Sequence, residues 1–222
     1  MKITVIGGGS TYTPELVSGF LARVASLPVT ELCLMDIDEQ RLSIVGGFAQ
    51  RIVRAQGDPF KVTLTLNQRE AVAGSSYIIT QLRVGQMPAR KGDEYLGHRH
   101  GLIGQETTGV GGMAKALRTI PVIKKLTEDI RELAPNALLA NFTNPAGLIT
   151  EMLTRYAADI PSVGVCNVGI TTKMKMLEAY EQLTGEKIDE ERAVLKTLGL
   201  NHLTWHYGFE VDGDEKWGQL FP

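Results

Sequence analysis

Apolar positions along the chain fall into short β-branched runs separated by stretches of helical period. Lys2–Ile6 is the first run; closed by Gly7-Gly8-Gly9, it reads as a buried strand entering a tight turn. Thr13-Pro14-Glu15 then offers a capping hydroxyl, a proline where a helix can begin and an acid for its first turn, predicting a helix from Pro14 to about Ser26. A second apolar run, Glu31–Met35, ends at Asp36, and Glu39–Ala55 has helical periodicity. Phe60–Leu66 alternates as a strand, Asn67-Gln68-Arg69-Glu70 has the form of a capping box opening a short helix, and Ser76–Leu82 is the next strand. Strands and helices in alternation, with the strands apolar on both faces, predict a parallel sheet covered by helices.

Beyond Arg83 this rhythm breaks. Val84–Gly112 is polar, rich in glycine and too long for an ordinary connection, which predicts a functional loop with short helical pieces. A long helix, about Gly112–Leu133, leads into a strand at Ala137–Asn141, and a further helix starts near Pro145. Ser162–Val165 is a strand ending at Cys166-Asn167, Thr171–Thr184 a helix, and Ala193–Leu200 and Leu203–Val211 are strands followed by an Asp212-Gly213-Asp214 turn.

Composition narrows the function classes. The 222 residues correspond to about one and a half domains at roughly 150 each. With 23 basic against 25 acidic residues and a net charge of −2, there is no basic excess for nucleic acid. No segment approaches the roughly 18 uninterrupted apolar residues of a membrane span, and the first apolar run is too short for a signal peptide, so no membrane partner is expected. Two cysteines, Cys33 and Cys166, are too few for a disulfide framework and point to a reducing compartment. Glycine is the one excess, 24 residues, and its placement carries the chemistry.

Gly7-Gly8-Gly9-Ser10-Thr11-Tyr12 fits Gly-x-Gly but has Tyr12 where the third glycine of a dinucleotide fingerprint belongs. Between a strand and a helix start, its backbone N–H groups are placed for a pyrophosphate, and Asp36 closes the second strand where an adenosine ribose would bind, favouring NAD+ over its phosphorylated form. A plain glycine turn with a capping aspartate is the alternative. Asn144, Cys166-Asn167 and Asn201-His202 each follow a predicted strand, at the edge where open α/β sheets bind ligands. A thiol and an imidazole there suit a metal, while a lone cysteine is as readily a small buried hydrophobe. Arg83 and Arg90 offer two guanidinium forks for a phosphorylated or carboxylated substrate, or are simply surface charge. Glu106, within Gly104-Gln105-Glu106-Thr107-Thr108-Gly109-Val110-Gly111-Gly112, is either an active-site carboxylate or a capping group. His98 and His100 read as a polar loop, His206 as one of the alternating residues of a strand and Cys33 as core.

Taken together, Ile6–Glu15, Gln81-Leu82-Arg83-Val84-Gly85, Gly104-Gln105-Glu106-Thr107, Asn141-Phe142-Thr143-Asn144-Pro145-Ala146-Gly147, Gly164-Val165-Cys166-Asn167 and Gly199-Leu200-Asn201-His202 resemble the family 4 glycoside hydrolases, particularly the 6-phospho-β-glucosidases. The resemblance spans the whole chain, and a Gly-Gly-Gly-Ser-x-Tyr turn is that family's own form of the fingerprint. It implies an α/β, Rossmann-like doubly wound parallel sheet of the lactate/malate dehydrogenase kind, over residues 1–168, with the start of an α+β catalytic domain over 169–222. It also implies an NAD+- and manganese-dependent glycosidase that works by oxidation at C3, elimination, water addition and reduction rather than by paired carboxylates.

Carried onto this chain, the resemblance implies Gly7, Gly8, Gly9, Ser10, Thr11 and Asp36 as cofactor contacts, Cys166 and His202 as metal ligands, and Asn144, Arg90 and Arg83 as substrate contacts. Glu106 matches the acid that supports a catalytic tyrosine. Asn167 stands where α-specific members have an aspartate, and an amide has no acidic proton for the leaving group, so a β-glucoside is expected. Thiolate and imidazole would by themselves favour zinc or iron, so manganese rests on the resemblance alone. The family's tyrosine base and a further phosphate-binding arginine lie C-terminal to Gly-Leu-Asn-His, so this chain alone is expected to hydrolyse little. A cytoplasmic dimer or tetramer acting on a phosphorylated disaccharide follows from the same resemblance. The competing expectations are a 2-hydroxy-acid dehydrogenase of the lactate/malate type and a non-catalytic NAD-binding module. No Asp-x-x-Arg followed by a catalytic histidine is present to support the first.

Overall fold

In a computed structural model, which describes residues 1–221, the chain divides into two compact units between Val165 and Cys166. The first is built from β1 (Lys2–Ile6), α1 (Thr13–Leu21), β2 (Glu31–Met35), α2 (Glu39–Ala55), β3 (Lys61–Thr65), α3 (Gln68–Val72), β4 (Tyr77–Thr80), α4 (Gln86–His98), α5 (Gly109–Leu133), β5 (Leu138–Asn141), α6 (Ala146–Tyr156) and β6 (Ser162–Gly164). Its strands form one six-stranded sheet in the order β3-β2-β1-β4-β5-β6, every neighbour parallel. This is the strand order of a Rossmann sheet, with the reversal between β1 and β4.

Alternation within the strands produces two cores. Ile3, Val5, Leu32 and Leu34 turn to one face and pack with Val17 of α1 and Leu42, Ala49 and Val53 of α2. Ile6, Cys33, Met35, Ile78 and Leu139 turn to the other, against Ile123, Leu126 and Ile130 of α5 and Ile149 and Leu153 of α6. With both faces covered, the strands can be apolar throughout, and Thr4, a buried exception, satisfies its hydroxyl on Ala71 O at 2.7 Å and Ser75 Oγ at 2.8 Å.

Two expectations change in this unit. α1 stops at Leu21 rather than near Ser26, because Arg23 N turns to Phe20 O and the chain tightens before Pro28. Thr13 is not its cap: it is buried in the first turn and donates its hydroxyl to Gly8 O at 2.8 Å. More consequentially, the segment read as a long loop holds a 13-residue helix, α4. Pro88, Gly92 and Gly97 lower its intrinsic propensity, and packing supplies what propensity lacks. Arg118 of α5 clamps the buried Asp93 through both oxygens, at 2.8 and 2.5 Å. Gly111 of α5 leaves room for the carbonyls of Asp93 and Gln105, where a Cβ would stand 2.8 Å from Asp93 O and closer still to Gln105 O.

The second unit contains α7 (Val168–Thr184), β7 (Ala193–Leu200), β8 (Leu203–Val211), β9 (Asp214–Glu215) and α8 (Trp217–Leu220). β7, β8 and β9 form an antiparallel sheet with its own core of Tyr180, Ile188, Ala193, Phe209 and Val211. Leu200 pairs with Leu203, so Asn201-His202 is a two-residue hairpin turn, with His202 at φ 60°. The expectation that Asn201-His202 ends a strand of the ligand-binding parallel edge is thereby corrected: two residues can reverse a chain into an antiparallel partner but cannot make a parallel crossover.

Gly111→Ala is expected to destabilise the first unit by about 1–3 kcal/mol, the usual cost of overpacking, and to raise amide exchange across α4 before the rest of the unit. Unchanged urea denaturation and α4 protection would mean that the close approach of Gln105 and Asp93 to α5 does not hold this helix.

Candidate functional site

The loop between β1 and α1 is held shut by its own backbone. Gly7 N and Gly8 N both donate to Met35 O, at 2.9 and 2.7 Å, and Gly9 N donates to Asp36 Oδ2 at 2.8 Å. Gly7 adopts φ 96°, which favours glycine, and a Cβ on Gly8 would press on the β2 backbone, 3.0 Å from both Leu34 Cα and Met35 N. The three glycine N–H groups are thus spent on building the turn. Ser10 N is spent likewise, on Gly7 O at 3.1 Å, and Ser10 Oγ accepts from Tyr12 N at 3.3 Å, so Thr11 stands at the crest before α1 with its N–H outside this network. Just after β4, Gln81 Nε2 reaches over to Gly7 O at 3.1 Å and Thr13 Oγ1 at 2.8 Å, tying the turn to the end of the neighbouring strand.

Asp36 is preset as a hydrogen-bond acceptor. Oδ2 takes Gly9 N and Oδ1 takes Asp38 N at 3.0 Å, which fixes the carboxylate plane and leaves lone pairs for hydroxyl donors. The absent Cβ of Gly9 is what lets Asp36 approach, since a Cβ there would lie 2.9 Å from Oδ2. A paired ribose diol fits such an acceptor at the end of the second strand.

A second cluster gathers around Glu106. Its carboxylate accepts from Arg83, which follows β4, and from Lys115 Nζ of α5 at 2.7 Å, and it lies 3.3 Å from an amino nitrogen of Arg90 on α4. Arg90 also donates from Nε to Glu94 at 2.8 Å. Burial pushes the Glu106 carboxyl up, but hydrogen bonds and charge from Arg83 and Lys115 outweigh it and hold the group below its ordinary value. Burial likewise pushes the Lys115 ammonium down, only partly opposed by Glu106. Glu106 is therefore ionised at neutral pH and acts as a fixed negative charge rather than a proton donor. It is not a helix cap: α5 begins after Thr108, and its entry carries no side-chain capping bond.

Asn144 sits half-buried between β5 and α6, before a cis peptide to Pro145. Its level is set by neighbours: Thr80 Oγ1 donates to Asn141 Oδ1 at 2.9 Å, Asn141 Nδ2 to Thr143 O at 3.1 Å, and Leu82 N to Thr143 Oγ1 at 2.8 Å. One polar chain thus aligns the segments carrying Arg83 and Asn144, while Asn144 itself joins no other candidate residue by a hydrogen bond.

In the second unit, Cys166 Sγ and His202 Nε2 stand 3.5 Å apart although 36 residues separate them. Metal bonds of about 2.3 Å to sulfur and about 2.0–2.1 Å to nitrogen, at a tetrahedral angle, set two donors about 3.5 Å apart, so the pair fits a shared ion. Among the described residues no third His, Cys, Asp or Glu joins them. Asn167 is exposed at the start of α7 and makes no capping bond with its side chain. Cys33 is buried in β2, where burial pushes its thiol up. His98 ends α4 against the Tyr95 ring, and His206 on β8 meets Thr197 Oγ1 at 2.9 Å.

Sequence reasoning missed Lys115, Gln81, Thr143 and Arg41, whose guanidinium reaches Gly9 O at 3.1 Å. Gln81 and Thr143 lie inside the motifs that carry the resemblance but had no role assigned; Lys115 had a signal of its own, lying in one helical row with Gly111 and Thr119, a charge on a face otherwise made of small and apolar residues.

Residues 2–182 match the profile of the family 4 glycosyl hydrolases. This chain belongs to that family. It is 47% identical over 215 residues to a probable 6-phospho-beta-glucosidase of Bacillus subtilis, covering 96% of this chain and 47% of the relative. The 6-phospho-beta-glucosidase of Escherichia coli is 41% identical, over 99% of this chain and 48% of its own length. Among solved structures, the Thermotoga maritima 6-phospho-beta glucosidase with manganese, NAD+ and glucose-6-phosphate superposes with a TM-score of 0.87 at 39% identity, over 100% of this chain and 52% of that one. The chain thus spans about half the length of the curated relatives it matches. Lactate dehydrogenase of Eimeria maxima, at 13% identity and a TM-score of 0.61, shares the fold alone.

In this family member the Glu106 ion pairs carry a definite pH signature. A carboxyl whose folded-state value is depressed contributes stability that is present above its unfolded value of about 4.3 and is lost as pH falls through the folded value. Glu106→Gln is expected to cost about 3 kcal/mol at pH 7, as when one partner of a buried pair is removed, and that gap should narrow in urea denaturation below about pH 4. A gap independent of pH would contradict the ionised cluster.

Proposed function

We propose that the whole protein hydrolyses 6-phospho-β-glucosides, such as 6-phospho-cellobiose, to glucose 6-phosphate and an aglycone, dependent on NAD+ and a divalent metal, Mn2+ by analogy with its relatives. The observation that carries this reading is the thiol–imidazole pair, Cys166 Sγ to His202 Nε2 at 3.5 Å, in a chain that also holds a dinucleotide turn. A hydroxy-acid dehydrogenase has no use for such a pair, and a passive nucleotide-binding module has none either.

Each residue group then has a task. Residues 1–168 are read as the NAD+-binding domain, with Gly7, Gly8 and Gly9 shaping the turn, Ser10 and Thr11 facing the pyrophosphate and Asp36 accepting from the ribose hydroxyls. Residues 169–222 are read as the opening of the catalytic domain. Cys166 and His202 would hold the metal, the remaining positions going to oxygens of water or sugar. Hydride exchange at the sugar C3 and polarisation of the neighbouring oxygens are the chemistry that NAD+ and the metal supply when bound. Arg83 and Arg90 would bind the sugar phosphate and Asn144 a sugar hydroxyl, while ionised Glu106 raises the basicity of a proton acceptor placed beside it. Asn167, unable to donate an acidic proton, supports a β- over an α-glucoside. No helix among the described residues is long and apolar enough to cross a membrane. A cytoplasmic dimer or tetramer acting on a sugar phosphate accords with this reading.

Hydrolysis of 6-phospho-cellobiose is expected only with NAD+ and Mn2+ together, and without net NADH. Cys166→Ser should lose Mn2+ binding by titration while keeping NAD+ binding. Stoichiometric NADH from lactate or malate, or unchanged Mn2+ affinity in the variant, would overturn the assignment.

A further inference from the structure

Among the described residues Lys115 is the only buried lysine, its side chain 3% exposed. A buried ammonium is costly unless paired, and its single hydrogen bond goes to Glu106 Oε2 at 2.7 Å. The pairing is built into α5: Gly111, one turn earlier, lacks the side chain that would hold off Gln105, so the segment bearing Glu106 lies against the helix at the level of Lys115. On the solvent side, the same carboxylate meets Arg83 and Arg90, whose side chains are 33% and 36% exposed. Arg83 and Arg90 can therefore reach a ligand, whereas the Lys115 ammonium is withdrawn from one.

Arg83 forks onto this carboxylate, closely at Oε2 and at 3.5 Å at Oε1, while Arg90 gives Nε to Glu94 and lies 3.3 Å from Oε1 through Nη1, so among the described residues the Arg83 Nε–H and the Arg90 Nη2 group have no acceptor. The Lys115 ammonium seats Oε2 from the protein side and thereby fixes the carboxylate on which both guanidinium planes are oriented. We propose that Lys115 is a positioning residue: by anchoring Glu106 from within α5, it keeps Arg83 and Arg90 oriented with N–H donors open to the phosphate of a sugar 6-phosphate. This rests on the reading of Arg83 and Arg90 as substrate contacts given under the proposed function.

The test is a double-mutant cycle on glucose 6-phosphate affinity, with NAD+ affinity as the check that the first unit is intact. Lys115→Met should weaken glucose 6-phosphate binding about tenfold with Glu106 present, and less than threefold in the E106Q background, because Lys115 acts through Glu106. The E106Q/K115M double variant removes both members of the buried pair and keeps the cycle measurable if K115M alone folds poorly. An equal loss in both backgrounds would make Lys115 a direct anion ligand, and no loss in either would leave it without a role; each overturns the proposal. If the unaltered protein does not bind glucose 6-phosphate, the substrate reading fails, and the Arg83 and Arg90 Nε–H signals in 15N spectra decide the positioning role instead. K115M must shift them with Glu106 present and not in E106Q, and signals unmoved in both would overturn it.

Discussion

Parallel strands that pair in register all end along one edge, and the first unit depends on that constraint. Ile6 pairs with Met35 and with Thr80, Thr80 with Asn141, and Asn141 with Gly164, so the four segments leaving β1, β2, β4 and β5 emerge side by side. Those segments carry Gly7–Gly9, Asp36, Gln81 with Arg83, and Asn144. Burial of both sheet faces fixes the strands, and the helices on each side feed the chain back to the opposite edge. Ligand chemistry is thus concentrated where backbone groups run out of strand partners, a property of the topology before any side chain is considered.

Side chains then stiffen that edge with hydrogen bonds between neighbouring loops. The Gly9–Asp36–Asp38 bonds preset the acceptor, Gln81 ties the glycine turn to β4, and the Thr80–Asn141–Thr143–Leu82 chain ties β4 to β5. Most of these are bonds between neutral groups or from backbone to side chain, each of modest net worth but expensive to leave broken when buried. Around Glu106 the balance is different: one carboxylate serves three cations, and burial makes its ionisation a matter of their placement. The first unit therefore presents a polar, preset half around Asp36 and a charged half around Glu106.

Much of this was legible in the residues. β1 and β2 follow from apolar runs stopped by Gly7 and Asp36, and β7 and β8 from runs whose bounds the structure reproduces. α4 was not legible, because Pro88, Gly92 and Gly97 argue against a helix locally and only Arg118 and the bare face of Gly111 argue for it, from a separate segment. The reach of Lys115 to Glu106 was hidden for a similar reason: helical spacing marks Lys115 as inward-facing but does not say what it meets. For His202 the error was one of context. Strand ends look alike in sequence, and only the two-residue spacing to Leu203 distinguishes a hairpin turn from the end of a parallel strand.

The central claim is that the edge formed by β1 and β2 is a dinucleotide site whose selectivity lies in the Asp36 carboxylate. Calorimetric titration of NAD+ and NADP+ into the protein and into Asp36→Ser tests it most directly. The unaltered protein is predicted to bind NAD+ at least tenfold tighter than NADP+, since the carboxylate accepts from ribose hydroxyls and repels a 2′-phosphate, and the substitution should erase that preference. Absence of NAD+ binding, or a preference unchanged in the variant, would contradict it.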